Sequence, residues 1–165
     1  MAIPSSREKE DTVSIAPQQA IASRQAEVVW DGTLAGGTGA VSSGSGALAF
    51  PVTWAARTEQ PDGKTSPEEL VAAAHASCFA MALALVLGEN HIRPERLTVG
   101  AACTLDEVDG APRITAVELT VRARVAGLDE AGLGRNIAQA SELCPVSNAV
   151  RGNVEITVHA EVDEG

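Results

Sequence analysis

From position 70 to 87 the chain reads LVAAAHASCFAMALALVL, with no Asp, Glu, Lys or Arg, and this run is its sharpest feature. Ser66-Pro67-Glu68-Glu69 stands directly before it. A serine cap, a proline at the first helical position and two carboxylates at the positive end of the helix dipole together mark a helix start. Glu69 is spaced to close a capping box with Ser66. The pattern predicts a helix from Pro67 to residue 87, stopped at Gly88 and Asn90. Such a run approaches the length of a membrane span. It is largely alanine, however, holds His75 and Ser77, and is flanked by Glu68, Glu69 and Glu89, so a buried central helix is the better reading.

Elsewhere the period falls to two. Leu97, Val99, Ala101, Cys103 and Leu105 share one strand face. After an Asp109-Gly110 turn, Val117, Leu119, Val121, Ala123 and Val125 share another, with Glu118, Thr120, Arg122 and Arg124 opposite. This predicts a hairpin packed on one side only. A helix over 129–143, capped by Asp129, is followed by Cys144-Pro145-Val146-Ser147, which restarts a short helix with Pro145 first. Val154, Ile156, Val158, Ala160 and Val162 close the chain as a strand. Upstream, the chain is β-like from Ala26: AEVVWDG, a run with glycines at 32, 36, 37, 39, 44 and 46, then ALAFPVTWAAR. These glycines suggest hairpin turns in a bulged meander. No GxGxxG register and no GKS or GKT accompanies them, so a phosphate loop is not signalled. Residues 1–22 are polar, carry Pro4 and Pro17 and lack an apolar period, which reads as a flexible extension before a single domain over 23–165. The element order predicts an α+β fold with sheets packed on helices.

Composition then narrows the possible functions. Aromatics are 2 % and tyrosine is absent, so a core in this 165-residue chain is built from Ala, Val and Leu. The formal net charge of -10 argues against nucleic acid and against an anionic membrane surface as partners. The opening MAIPSSREKEDTV has no apolar signal segment, which leads us to expect a cytoplasmic protein. The three cysteines are widely spaced with no CxxC or CxxH pair, so neither a metal nor any other cofactor is expected.

Cysteine chemistry needs a thiolate, and with peroxides a second thiol to resolve the sulfenic acid. Cys103 keeps step with Val99, Ala101 and Leu105 and reads as a small core hydrophobe. Cys78 shares a stripe with Leu70, Ala74, Met81 and Leu85, which also reads as core. The alanines at 72, 73, 74 and 76, with Ser77, nevertheless leave room for another segment to approach its sulfur. A mid-helix thiol gains little from the dipole, so lowering its pKa needs a nearby cation. Cys144 stands at a helix start, where free backbone N–H groups favour a thiolate; by spacing alone, a poor cap explains it equally well. Taken singly, Glu68 is a first-turn carboxylate, Arg57 a surface arginine and His75 a core histidine. No GxSxG occurs to suggest a serine nucleophile.

TSPEELVAAAHASCFAMALAL (65–85) and ELCPVSNAV (142–150) resemble the OsmC/Ohr family of peroxide-reducing proteins, nearer its OsmC branch. WDG, the glycine-rich meander and WAART also fit, and the resemblance runs over 27–162. It implies an OsmC-like α+β fold in which sheets wrap two long central helices of an intertwined homodimer, with active sites at the interface. It implies that Cys78 attacks the peroxide oxygen and becomes a sulfenic acid, and that Cys144 resolves it as a Cys78–Cys144 disulfide. Arg57 is implied to stabilise the thiolate and polarise the peroxide, with Glu68 orienting it; His75 and Phe79 are implied as pocket lining. An apolar wall of Phe79, Met81 and Leu83 suits organic hydroperoxides, with hydrogen peroxide a second substrate, and a lipoyl-type dithiol is the implied reductant. Two other readings use the same residues differently: a thiol-based redox sensor without turnover, and a non-catalytic small-ligand-binding domain whose cysteines are fillers.

Overall fold

The computed structural model describes residues 20–163, so most of the expected 1–22 extension lies outside the described residues. Strands β1 (Ala26–Asp31), β2 (Thr38–Ser43) and β3 (Ala49–Val52) form an antiparallel meander. Gly39 sits opposite Trp30, and a Cβ there would come within 2.7 Å of Val52 and 2.9 Å of the Trp30 ring, so the meander needs a glycine at this crossing. The β-like reading of ALAFPVTWAAR holds only as far as Val52. Thr53 then caps a short helix, α1 (Trp54–Thr58), its Oγ1 accepting the Ala56 N–H at 3.1 Å.

Helix α2 (Pro67–Glu89) follows, and Ser66 starts it by accepting the Glu69 N–H at 3.1 Å. The capping box is only half made, because the Glu69 carboxylate accepts from the Thr65 hydroxyl rather than from the Ser66 backbone. Replacing Ser66 with Ala is expected to cost about 1 kcal/mol, read as a lower denaturant midpoint with an unchanged slope.

The hairpin β4 (Arg96–Val108) and β5 (Ala111–Arg124) turns at Asp109 and Gly110, both at positive φ (55° and 75°), the pair that a tight two-residue hairpin requires. Helix α3 (Glu130–Leu143), capped by Asp129, and short helix α4 (Pro145–Val150) then carry the chain across to β6 (Glu155–Val162). β6 lies parallel to β5, with Val117 beside Ile156 and Leu119 beside Val158, giving the order β4-β5-β6.

Between this second sheet and the helices lies the core. Val117, Leu119, Val121 and Ala123 of β5 meet Phe79, Leu83, Val86 and Leu87 of α2 and Leu133 and Ala140 of α3, all at most 1 % exposed. This corrects the helix face read from sequence: the stripe of Leu70, Ala74, Met81 and Leu85 is the outer one, with Met81 67 % and Leu85 54 % exposed. α2 is apolar all round, so periodicity cannot choose its face. By length and composition α2 passes as a possible membrane span; in this fold one side of it is the core of the second sheet.

Candidate active site

Two segments far apart in sequence bring two thiols together. α2 carries half-buried Cys78 along its middle, and α3 ends at Cys144, which is fully buried and doubles as the cap of α4. Their sulfurs are 3.3 Å apart, with Cys144 donating to Cys78. Both thiols are free, and the separation exceeds a disulfide bond by little more than an ångström.

Once the pair loses a proton, its surroundings favour charge on Cys144. Burial works against that, but the Ser147 hydroxyl, the Ser147 N–H at 3.5 Å, the Cys78 thiol and the Val146 N–H outweigh it and hold Cys144 below the ordinary thiol range. For Cys78, burial and the neighbouring Cys144 push the thiol up against a single Val146 N–H. Among the described residues, none of the groups that shift Cys78 is a cation.

A cation stands instead beside the first turn of α2, where it meets Glu68. Arg57, delivered by α1, points both Nε (2.9 Å) and Nη2 (2.7 Å) at Glu68 Oε1 and lies over the Trp54 ring, 5.7 Å from its centroid. Glu68 is thus more than a first-turn carboxylate. Its side chain is 8 % exposed, against 26 % for Arg57, and its Oε2 is buried without a hydrogen-bond partner. The pair borders a groove of about 460 Å³ that Lys64, Ala101 and Cys103 also line. Burial and the Glu68 charge both push the Cys103 thiol up, consistent with an inert side chain.

Within one chain the thiol pair and the Arg57–Glu68 pair therefore stand apart. Glu68 and Cys78 are separated by about 15 Å along the α2 axis at 1.5 Å per residue. His75 is fully buried beside the dithiol rather than open to a pocket, its Nε2 2.8 Å from Ser147 Oγ. Phe79, expected as pocket wall, is fully buried in the core. Ser147 carried no role in the sequence reading, although its place three residues after the Cys144 cap was a signal that its N–H meets the sulfur. Trp54, one turn before Arg57, was likewise visible but unassigned. Among the described residues no group of three or more His, Cys, Asp or Glu is placed to hold a metal ion.

Over residues 60–159 the sequence matches the family described as OsmC-like protein. It is 37 % identical over 134 residues to peroxiredoxin OsmC of Escherichia coli (strain K12), an alignment that covers 81 % of this chain and 93 % of that protein. The crystal structure of the organic hydroperoxide resistance protein OhrB of Bacillus subtilis matches with a TM-score of 0.68 at 30 % identity, over 83 % of this chain and 98 % of that one. An organic hydroperoxide resistance protein from Elizabethkingia anophelis, solved with thiocyanate bound, gives a TM-score of 0.75 at 27 % identity, over 88 % and 99 %.

Proposed function

The chain belongs to the OsmC family, and from that premise we propose that it is a thiol-dependent peroxidase in which Cys78 attacks and Cys144 resolves. The observation that carries this reading is the 3.3 Å approach of the two free sulfurs. The Cys78 thiolate attacks the distal oxygen of ROOH, the O–O bond breaks, ROH leaves after taking a proton, and Cys78 becomes a sulfenic acid. The Cys144 thiolate then attacks that sulfur, forming the disulfide and releasing hydroxide, which solvent protonates. A dithiol, lipoyl-type by family resemblance, reduces the disulfide by exchange. Organic hydroperoxides and hydrogen peroxide are the substrates, with the reaction taking place in the reducing cytoplasm.

The working unit in this reading is a homodimer. Ala73, Ala74, Ser77, Met81, Ala84 and Leu85 form an exposed apolar stripe along α2. Alongside it, Val41 and Phe50 of the first sheet, Leu48 just before β3, and Leu70, Ala73 and Ala74 of α2 border an apolar groove of about 420 Å³. A second copy of α2, antiparallel and centred near Ala73, fills that space and brings the Arg57–Glu68 pair of one chain level with Cys78 of the other. Arg57 then supplies the charge that Cys78 lacks alone and holds the peroxide oxygen as the bond breaks.

Mass spectrometry after one equivalent of cumene hydroperoxide is expected to show a Cys78–Cys144 crosslink with Cys103 still free. A crosslink through Cys103 would overturn the assignment. Steady-state consumption with a dithiol separates the peroxidase from the sensor reading, since a sensor forms the disulfide and stops.

A further inference from the structure

A line of polar atoms runs behind the thiol pair, and the peroxidase reading uses only its sulfurs. His75 and Ser147, 72 residues apart in sequence and both buried, meet at 2.8 Å through Nε2 and Oγ. Ser147 gives its N–H to the Cys144 sulfur at 3.5 Å, and its hydroxyl, held by His75, favours charge on that sulfur. His75 Nδ1 is buried and has no hydrogen-bond partner. That orphan decides the tautomer. A buried N–H without an acceptor is rarer and costlier than a lone pair without a donor. The ring proton therefore sits on Nε2, which donates to Ser147 Oγ. The serine oxygen, already accepting, has its own proton free to give to sulfur. Burial also lowers the His75 pKa, so the ring stays neutral and orients the serine without competing for the thiolate as a cation.

We propose that His75 and Ser147 are positioning residues for the resolving step: the imidazole fixes the serine hydroxyl, and the hydroxyl holds Cys144 as the thiolate that attacks the Cys78 sulfenic acid. This rests on the peroxidase reading for the step it serves, and on the geometry alone for the charge it places. Its chemical consequence is timing. While Cys78 is the attacking thiolate, Cys144 keeps its proton and donates it to that sulfur. Once Cys78 is a sulfenic acid, the groups that favour charge on Cys144 are already in place, so the sulfenic acid is short-lived and little of it meets a second peroxide. In the step itself the S–S bond forms, the S–O bond of Cys78 breaks, and hydroxide leaves and is protonated by solvent. His75 and Ser147 end as they began.

Among the described residues of one chain the titratable groups facing Cys144 are Cys78 directly and His75 through Ser147, both from α2; in the dimer of the peroxidase reading, Arg57 of the second copy faces Cys78 as well. From α3 and α4 the neighbouring charges, Glu142 and Arg151, bond each other at the surface at 2.8 Å. From the sheet, Ile156 and Val158 present apolar side chains to the same core.

The test separates resolution from attack. The full-length protein is mixed rapidly with one equivalent of cumene hydroperoxide, and Cys78 sulfenic acid and disulfide are quantified by acid quench and mass spectrometry across pH. Disulfide formation follows the Cys144 thiolate, so its rate rises with pH to a plateau. Ser147→Ala is expected to move the midpoint up by about one pH unit, the scale of one hydrogen bond to a charged group. Sulfenic acid should then accumulate near neutrality, while the plateaus of variant and wild type converge at high pH. Ser147→Thr, which keeps the hydroxyl, is expected to restore the wild-type profile, and His75→Gln, which keeps an N–H donor, to stay near it. A merely structural role instead slows all pH values by one factor. That result, or an unmoved midpoint, would overturn the proposal. Thiolate ultraviolet absorbance in a background carrying both Cys78→Ser and Cys103→Ser, where Cys144 is the only thiol left, reads its midpoint without peroxide. If the wild type forms no Cys78 sulfenic acid, the peroxidase reading fails, and this titration still decides whether Ser147 holds the charge.

Discussion

Cys78→Ser is expected to reduce peroxide turnover to background, by on the order of 10⁴-fold or more, the scale on which removing an enzyme's own nucleophile acts. The substitution changes one atom at a half-buried position, and the helix already holds Ser77 next to it, so the fold should persist with stability little altered. What is lost is the soft, ionisable sulfur. A serine hydroxyl stays protonated at neutral pH and does not form a stable sulfenic-acid equivalent. Cys144, though the more readily charged thiol within one chain, is fully buried and beyond direct attack by a bulky hydroperoxide. Cys144→Ser separates the roles. It should keep the first stoichiometric reduction and leave Cys78 as a sulfenic acid open to over-oxidation. Turnover assays with a dithiol and trapping of the sulfenic acid check both variants. If Cys78→Ser keeps a substantial fraction of turnover, another thiol is the attacker.

The sequence shows some parts of this site and conceals others, for definable reasons. Local signals were legible: Ser66 and Pro67 set the start of α2, and the alternation from Val117 to Ala123 set the buried face of β5. Segments that depend on tertiary context were not. The all-apolar α2 gave no face preference, so its outer stripe read as core and Phe79 read as pocket wall. WAART lies against strand-like sequence, and only the Thr53 cap makes it helical. The long-range pairings were the hardest to read. Glu68 fully fits a first-turn carboxylate, and nothing local says that Arg57 will reach it. The meeting of His75 with Ser147 depends on α4 folding back over α2, and spacing does not encode that contact. The Cys78–Cys144 pairing came from resemblance, because pattern alone left Cys144 ambiguous and made Cys78 a filler.

Arg57→Ala is expected to lower kcat/KM by about 10²- to 10³-fold, the effect of deleting one preorganised donor from a developing oxyanion. It should also cost about 2–4 kcal/mol of stability, since breaking a buried ion pair leaves the remaining charge uncompensated. The asymmetry of the pair makes this specific. Glu68 is the deeply buried member, its Oε2 already lacks a partner, and Arg57 provides both hydrogen bonds to Oε1. Removing Arg57 strands a carboxylate inside the protein. Glu68→Gln instead leaves Arg57, which is 26 % exposed, able to recover water, and should cost about 1 kcal/mol. Its activity loss should be milder too, because the guanidinium keeps its charge and loses only its anchor. Arg57→Lys keeps charge without the fork and should fall between the two. The decisive arm mixes chains. About 15 Å along α2 separates Glu68 from Cys78 in one chain, so an arginine acting across a two-fold interface is rescued by a partner that retains it. Co-refolding inactive Arg57→Ala with inactive Cys78→Ser should return roughly a quarter of wild-type turnover, since half the dimers are mixed and each holds one complete site. No recovery from a confirmed mixed dimer would place Arg57 with its own chain's cysteine, and full activity in Arg57→Ala would leave the ion pair a structural brace alone.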